Sequence, residues 1–178
     1  GAEGHKWLKV PYDWGFAVAR EGEKLKEPFR LTAAYLPSDE TPSPEASRRA
    51  RSLAVWATLR AYGRAGHRAM VERHLGLAQR LRRRVEAEPE LELLAPVRLN
   101  IVCFRHKPAG MDAEQLDAHN LALGEDVLTD GRVFFGTTRY EGAVAFRPAI
   151  VNWRTTERDV DLIGDVLLEL GTRRLQAR

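Results

Sequence analysis

His5-Lys6-Trp7-Leu8-Lys9-Val10-Pro11-Tyr12-Asp13, near the start of the 178-residue sequence, is its most informative stretch. A lysine beside a histidine carries little information alone, because exposed lysines are abundant on any protein surface. Here two aromatic residues, a proline and an aspartate follow at once, and then the apolar, β-prone run of residues 14–20. Such surroundings predict an amine partly removed from water. Desolvation lowers a lysine's pKa and frees the amine as a nucleophile toward carbonyl carbon.

Outward from this segment, residues 14–20 predict a short buried strand. Residues 22–47 hold Pro28, Pro37, Pro42 and Pro44 among acidic side chains, which disfavours helix and central strand and predicts an irregular, exposed loop. Residues 45–88 predict a long helix, broken near Gly63 and Gly66 and closed by Pro89. A strand over 97–104 and a helix over 111–123, introduced by Asp112, come next. Two strands follow over 133–138 and 143–150, joined by a turn at Glu141-Gly142. Thr155 or Thr156 caps a last helix whose apolar stripe is Val160, Ile163, Leu167 and Leu170, with Gly171 suited to its C-terminal end. Helix, strand, helix, paired strands and helix make an α+β layer with a mostly antiparallel sheet. The first fifth of the chain offers a strand and a loop but no sheet to join. A lone strand leaves backbone groups unpaired, so this segment is expected to belong to a larger domain.

The composition is 44% hydrophobic and 30% charged, with no apolar run near the length of a membrane span, so no membrane partner is expected. The first residues show neither a starting methionine nor a signal-peptide pattern, and further residues are expected upstream. Cys103 is the single cysteine; it cannot form an internal disulfide, and a cytoplasmic home is the simplest reading. Net charge is +3, and the cluster Arg80, Arg82, Arg83 and Arg84 invites a nucleic-acid reading. Yet Val71, Leu75, Ala78, Leu81 and Val85 form one helical stripe from which the arginines mostly turn away, and no aromatics are interleaved for stacking. The cluster reads as the solvated face of an amphipathic helix, with no nucleic-acid partner. His67, His74, His106 and His119 have no carboxylate or cysteine at ligand spacing, so no metal site is expected.

The opening stretch resembles the group II pyridoxal-phosphate-dependent amino-acid decarboxylases, among them the aromatic-L-amino-acid enzymes. Their lysine segment is usually written Asp-x-His-Lys-Trp-Leu-x-Val-Pro-Tyr-Asp, and here it stands as Glu3 to Asp13. The likeness continues through Ser47-Arg48-Arg49-Ala50-Arg51, Trp56-Ala57-Thr58-Leu59-Arg60-Ala61-Tyr62-Gly63, Leu99-Asn100-Ile101-Val102-Cys103-Phe104-Arg105 and Val151-Asn152-Trp153-Arg154-Thr155-Thr156. It thus spans nearly the whole chain in order. Glu3 and Gly4 depart from the usual pattern, Trp14 stands where a cysteine is common, and the loop over 37–47 is short and proline-rich.

This resemblance implies an α/β fold of fold type I. Residues 1–45 would be the tail of the large cofactor-binding domain, and residues 46–178 the connecting helix and small α+β C-terminal domain. It implies pyridoxal 5'-phosphate as cofactor, Lys6 as its Schiff-base lysine, and His5 against the cofactor near its phosphate. Tyr35 would be a mobile-loop residue that reaches the partner subunit's site and helps to protonate carbon after carbon dioxide leaves; without the resemblance it reads as a loop aromatic packing on its neighbours. The implied enzyme is a cytoplasmic homodimeric carboxy-lyase acting on an L-amino acid, aromatic somewhat preferred. The remainder of the large domain, with most of the cofactor pocket, would lie upstream, so the isolated fragment is expected to be inactive. Arg147 suits either a substrate carboxylate or structural pairing. A lyase or aminotransferase of the same fold, or a non-catalytic dimerisation module derived from it, are the alternative readings.

Overall fold

The computed structural model describes residues 2–12, 14–29, 34–35 and 49–177, which form two compact units, residues 1–67 and 68–178. In the first, Ala2–Glu3 (β1) pairs antiparallel with Gly15–Phe16 (β2). The N-terminal segment therefore has a strand partner of its own, where none was expected. Only two residues of the expected strand over 14–20 join the ladder, and it is not buried: Phe16 and Val18 are exposed. A two-residue ladder offers too little apolar surface to cover either face.

Residues 22–29 also differ from the expected loop. Gly22–Lys26 (α1) is a short helix followed by a 3₁₀ turn at Glu27–Phe29. The pairs Glu21–Lys24 and Glu23–Lys26, three residues apart, bridge successive positions on this short helix. The remaining loop over 36–48, and the expected boundary between residues 45 and 46, lie outside the described residues.

Ser52–Ala87 (α2) loses helical geometry at Gly63, with φ 60 and ψ −175. That conformation is essentially confined to glycine and coincides with the break read from the sequence; Gly66 stays helical. In the second unit the α2 stripe enters the core at Leu77, Ala78, Leu81 and Val85.

The sheet of the second unit comprises Leu91–Leu93 (β3), Phe104–His106 (β4), Thr137–Tyr140 (β5) and Ala143–Phe146 (β6). Its order is β3-β4-β6-β5, antiparallel throughout, as the strand pattern predicts. Ala113–Asp130 (α3) and Glu157–Gln176 (α4) pack on it. Phe104 and Phe146 face each other in register and meet Leu123, Val127, Val160 and Leu167 in one apolar cluster. Glu141 and Gly142, both at positive φ, make the two-residue turn between β5 and β6.

Three local readings are corrected. The strand expected over 97–104 is displaced: β4 begins at Phe104, and residues 100–102 pair singly with 148–150 through Val102 N–H to Pro148 O and Ile150 N–H to Asn100 O. Pro148 has no N–H, so a regular ladder cannot run past it. The three-residue β3 went unread because it follows directly on the α2 terminus. Finally, Gly171 does not end α4, which continues to Gln176. A Cβ at Gly171 would stand 2.7 Å from His106 Cε1, so close packing, not a cap, requires glycine there.

A buried polar cluster ties α3 to β4. Asn120 Oδ1 accepts from the His106 N–H at 2.9 Å, and its Nδ2 donates to the His106 carbonyl at 2.8 Å. His106 Nδ1 lies 2.8 Å from His119 Nε2. Both rings are wholly buried. The arginine cluster is more than a solvated face. Arg80 grips both Asp161 carboxylate oxygens and Glu157, and Arg84 reaches Asp165, so these two link α2 to α4.

Candidate functional site

The loop between β1 and β2 is shaped by Gly4. It donates to the Trp14 carbonyl at 3.1 Å and accepts from the Val10 N–H at 3.4 Å. A Cβ at Gly4 would lie 2.6 Å from Val10 Cγ2 and 2.8 Å from Trp14 Cε3. Only glycine lets the chain pass so close to Val10, which is itself buried. Trp14, the departure noted in the sequence, forms this floor and meets Phe16 edge-on at 3.8 Å.

On this floor the loop presents His5 and Lys6. The His5 ring stacks on Tyr12, with centroids 4.4 Å apart and planes 22° apart. Lys6 Nζ is 2.7 Å from Glu3 Oε2, and His5 Nε2 is 3.5 Å from the same oxygen. The hydrogen bond from Lys6, and then its charge, hold the Glu3 carboxyl below the usual carboxylate range.

The expected partial desolvation of Lys6 is not found. Its side chain is 68% exposed, because Tyr12 lies open to solvent and Lys6 sits at the outer side of the loop. Burial instead pushes down the ammonium of Lys9, at φ 58 in the same loop. An open primary amine with an imidazole beside it, on a loop closely packed at Gly4, fits the aldehyde-binding end of pyridoxal phosphate.

Tyr35 is 86% exposed. Residues 31–33 and 36–40 around it lie outside the described set. Among the described residues no ring contact joins Tyr35 to His5. Thus His5 and Lys6 come together, and among the described residues no contact joins Tyr35 to either.

Arg147, in the second unit, is exposed and lines a cleft of about 320 Å³ with Arg98, Arg139 and Cys103. Burial pushes the Cys103 thiol up, against the lowering influence of Arg147. Among the described residues no group of three or more His, Cys, Asp or Glu is placed to hold a metal, and no helix is long and apolar enough to cross a membrane.

Residues 1–107 match the pyridoxal-dependent decarboxylase conserved domain. The chain is 28% identical over 167 residues to an aromatic-L-amino-acid decarboxylase of Bacillus atrophaeus, covering 88% of this chain and 35% of that protein. It is 27% identical over 190 residues to phenylacetaldehyde synthase of Petunia hybrida, covering 97% of this chain and 38% of that one. The crystal structure of Oryza sativa TDC with PLP and tryptamine superposes with a TM-score of 0.68 at 24% identity, over 71% of this chain and 28% of the other. The chain therefore spans little more than a third of the length of these curated relatives. The structural likeness bears out the fold-type-I reading, with its mixed α/β elements and antiparallel sheet.

Proposed function

This chain belongs to the pyridoxal-dependent decarboxylase family, and from that premise we propose that it carries the cofactor lysine and small C-terminal domain of an amino-acid decarboxylase. The observation that carries the reading is Lys6: an open amine next to an imidazole, on a Gly4-pinned loop inside the family match. The substrate class is an L-amino acid, aromatic somewhat preferred, as in the relative from Bacillus atrophaeus.

Pyridoxal phosphate, when bound, supplies an electron sink for the pair released as carbon dioxide departs. The Lys6 amine would hold the cofactor aldehyde and must first exchange its Glu3 contact for that bond. Because Glu3 is exposed, its hold on Lys6 is screened and weak, so releasing the amine costs little. His5, its ring plane fixed by Tyr12, would present a flat face or a ring N–H to the cofactor's phosphate end. Tyr35 would donate its phenolic proton to carbon in the partner subunit's site, which makes the enzyme a homodimer. Its free exposure on a turn is compatible with such reach.

A second reading is favoured by the similarity to phenylacetaldehyde synthase: the same fold and lysine, with an aldehyde as product. Carbon dioxide and amine release from L-tyrosine, L-tryptophan and L-glutamate by the full-length protein tests both. Amine and carbon dioxide in equal amounts from an aromatic substrate support the decarboxylase; aldehyde, ammonia and carbon dioxide formed with uptake of dioxygen, reduced to hydrogen peroxide, replace it with the second reading. Since the chain spans little more than a third of the length of these relatives, the 178-residue chain alone is predicted to release no measurable carbon dioxide.

A further inference from the structure

Between the middle of α2 and the start of α4, within residues 68–178, lies a cleft of about 560 Å³ walled by Arg73, Arg80, Arg83, Trp153, Arg154 and Glu157. Its four guanidiniums differ in how they are held. Arg80 is neutralised by Asp161 and Glu157, with contacts of 2.6 to 2.8 Å. Arg73 donates to the backbone carbonyl of Trp153, a neutral acceptor. Arg154 lies over the Trp153 ring, 4.8 Å from its centroid, and that ring is neutral too. Arg83 is exposed and has no carboxylate partner among the described residues. Arg73, Arg83 and Arg154 thus line the cleft with no carboxylate partner of their own among the described residues, while the carboxylates beside it, Glu157 and Asp161, are both engaged by Arg80.

Like charges lining one cleft repel one another, and a bound anion relieves that repulsion. Guanidiniums bind phosphate oxygens through paired, charge-assisted hydrogen bonds. At the helix start, the Thr156–Asp159 capping box already occupies the Thr156 and Asp159 N–H donors. Trp153, 56% exposed at the cleft wall, presents an aromatic surface beside these charges. The cleft volume falls within the range of small-molecule sites.

We propose that this cleft binds a diphosphate group, held by Arg73, Arg83 and Arg154, with the Trp153 indole available to stack a ring attached to it. Inorganic pyrophosphate and a nucleoside diphosphate share that chemistry.

Calorimetric titration of the intact protein, saturated with pyridoxal phosphate so that its cofactor site does not compete, tests this. Pyrophosphate, ADP and adenosine are the probes. The expected result is binding of pyrophosphate and ADP with Kd below about 1 mM, and a loss of at least about tenfold in the Arg83→Gln, Arg154→Gln double variant. Both side chains lie at the surface, so circular dichroism should show an unchanged fold. ADP binding tighter than pyrophosphate, with the difference abolished by Trp153→Ala, supports the stacking role. Failure of pyrophosphate and ADP to bind at millimolar concentration, or equal binding by wild type and double variant, overturns the proposal.

Discussion

The requirements on single residues in this chain are set by contact distances. Gly4 and Gly171 are both glycines because a neighbouring ring or methyl group occupies the space of a Cβ. At Gly171 the obstacle is the buried His106 ring, which is hydrogen-bonded to His119 and cannot retreat. Gly171→Ala is therefore expected to destabilise the chain by about 1–3 kcal/mol, the usual cost of overpacking, measured as a lowered urea midpoint. The same ring sets a pH dependence. Burial depresses the His106 pKa from 6.5 to about 4, and Glu90, 3.9 Å from Nε2, is too distant for a hydrogen bond. The unfolded chain takes up a proton as pH falls through 6.5, whereas the folded chain resists until about 4. Stability is thus complete above the unfolded value and declines between the two, by about 3 kcal/mol in all. Urea midpoints measured from pH 7 down to 4 should fall across that window and then lose this contribution to the slope; a flat profile would show that His106 is not buried neutral.

At the level of elements, what could be read from sequence depended on whether a signal was local. Asp112 and Thr156 cap α3 and α4 through complete capping boxes with Gln115 and Asp159, and both starts were legible because every group involved lies within four residues. Thr156→Ala should cost about 1 kcal/mol, read from thermal unfolding, if the cap contributes as such caps ordinarily do. The strands were less legible. The edge of β4 is decided by Pro148, some forty residues away in sequence, which interrupts pairing with residues 100–102. Nor does the spacing of Gly171 within a stripe distinguish a helix end from a helix interior packed on a distant imidazole. The arginine cluster was read as solvated because its acidic partners, Asp161 and Asp165, stand on another helix. The lysine motif was legible as a string, but its exposure was not: aromatic neighbours in sequence do not ensure aromatic cover in space, and Tyr12 faces solvent.

For the molecule as a whole, residues 68–178 supply a complete α+β unit with one apolar cluster shared by sheet and helices. Residues 1–67 supply the loop that displays Lys6, and they lie inside the family match. The proposed division of labour makes Tyr35 dispensable for cofactor binding and necessary for clean amine formation. Tyr35→Phe in the full-length protein should leave cofactor content unchanged and lower amine formation by at least about 10²-fold, the scale of a lost general acid. Equal loss of cofactor would assign Tyr35 a structural role. The most direct measurement concerns Lys6. The full-length protein loaded with pyridoxal phosphate, reduced with borohydride and digested, should carry the pyridoxyl label on the peptide containing Lys6. A label on another lysine, or none, would contradict the account.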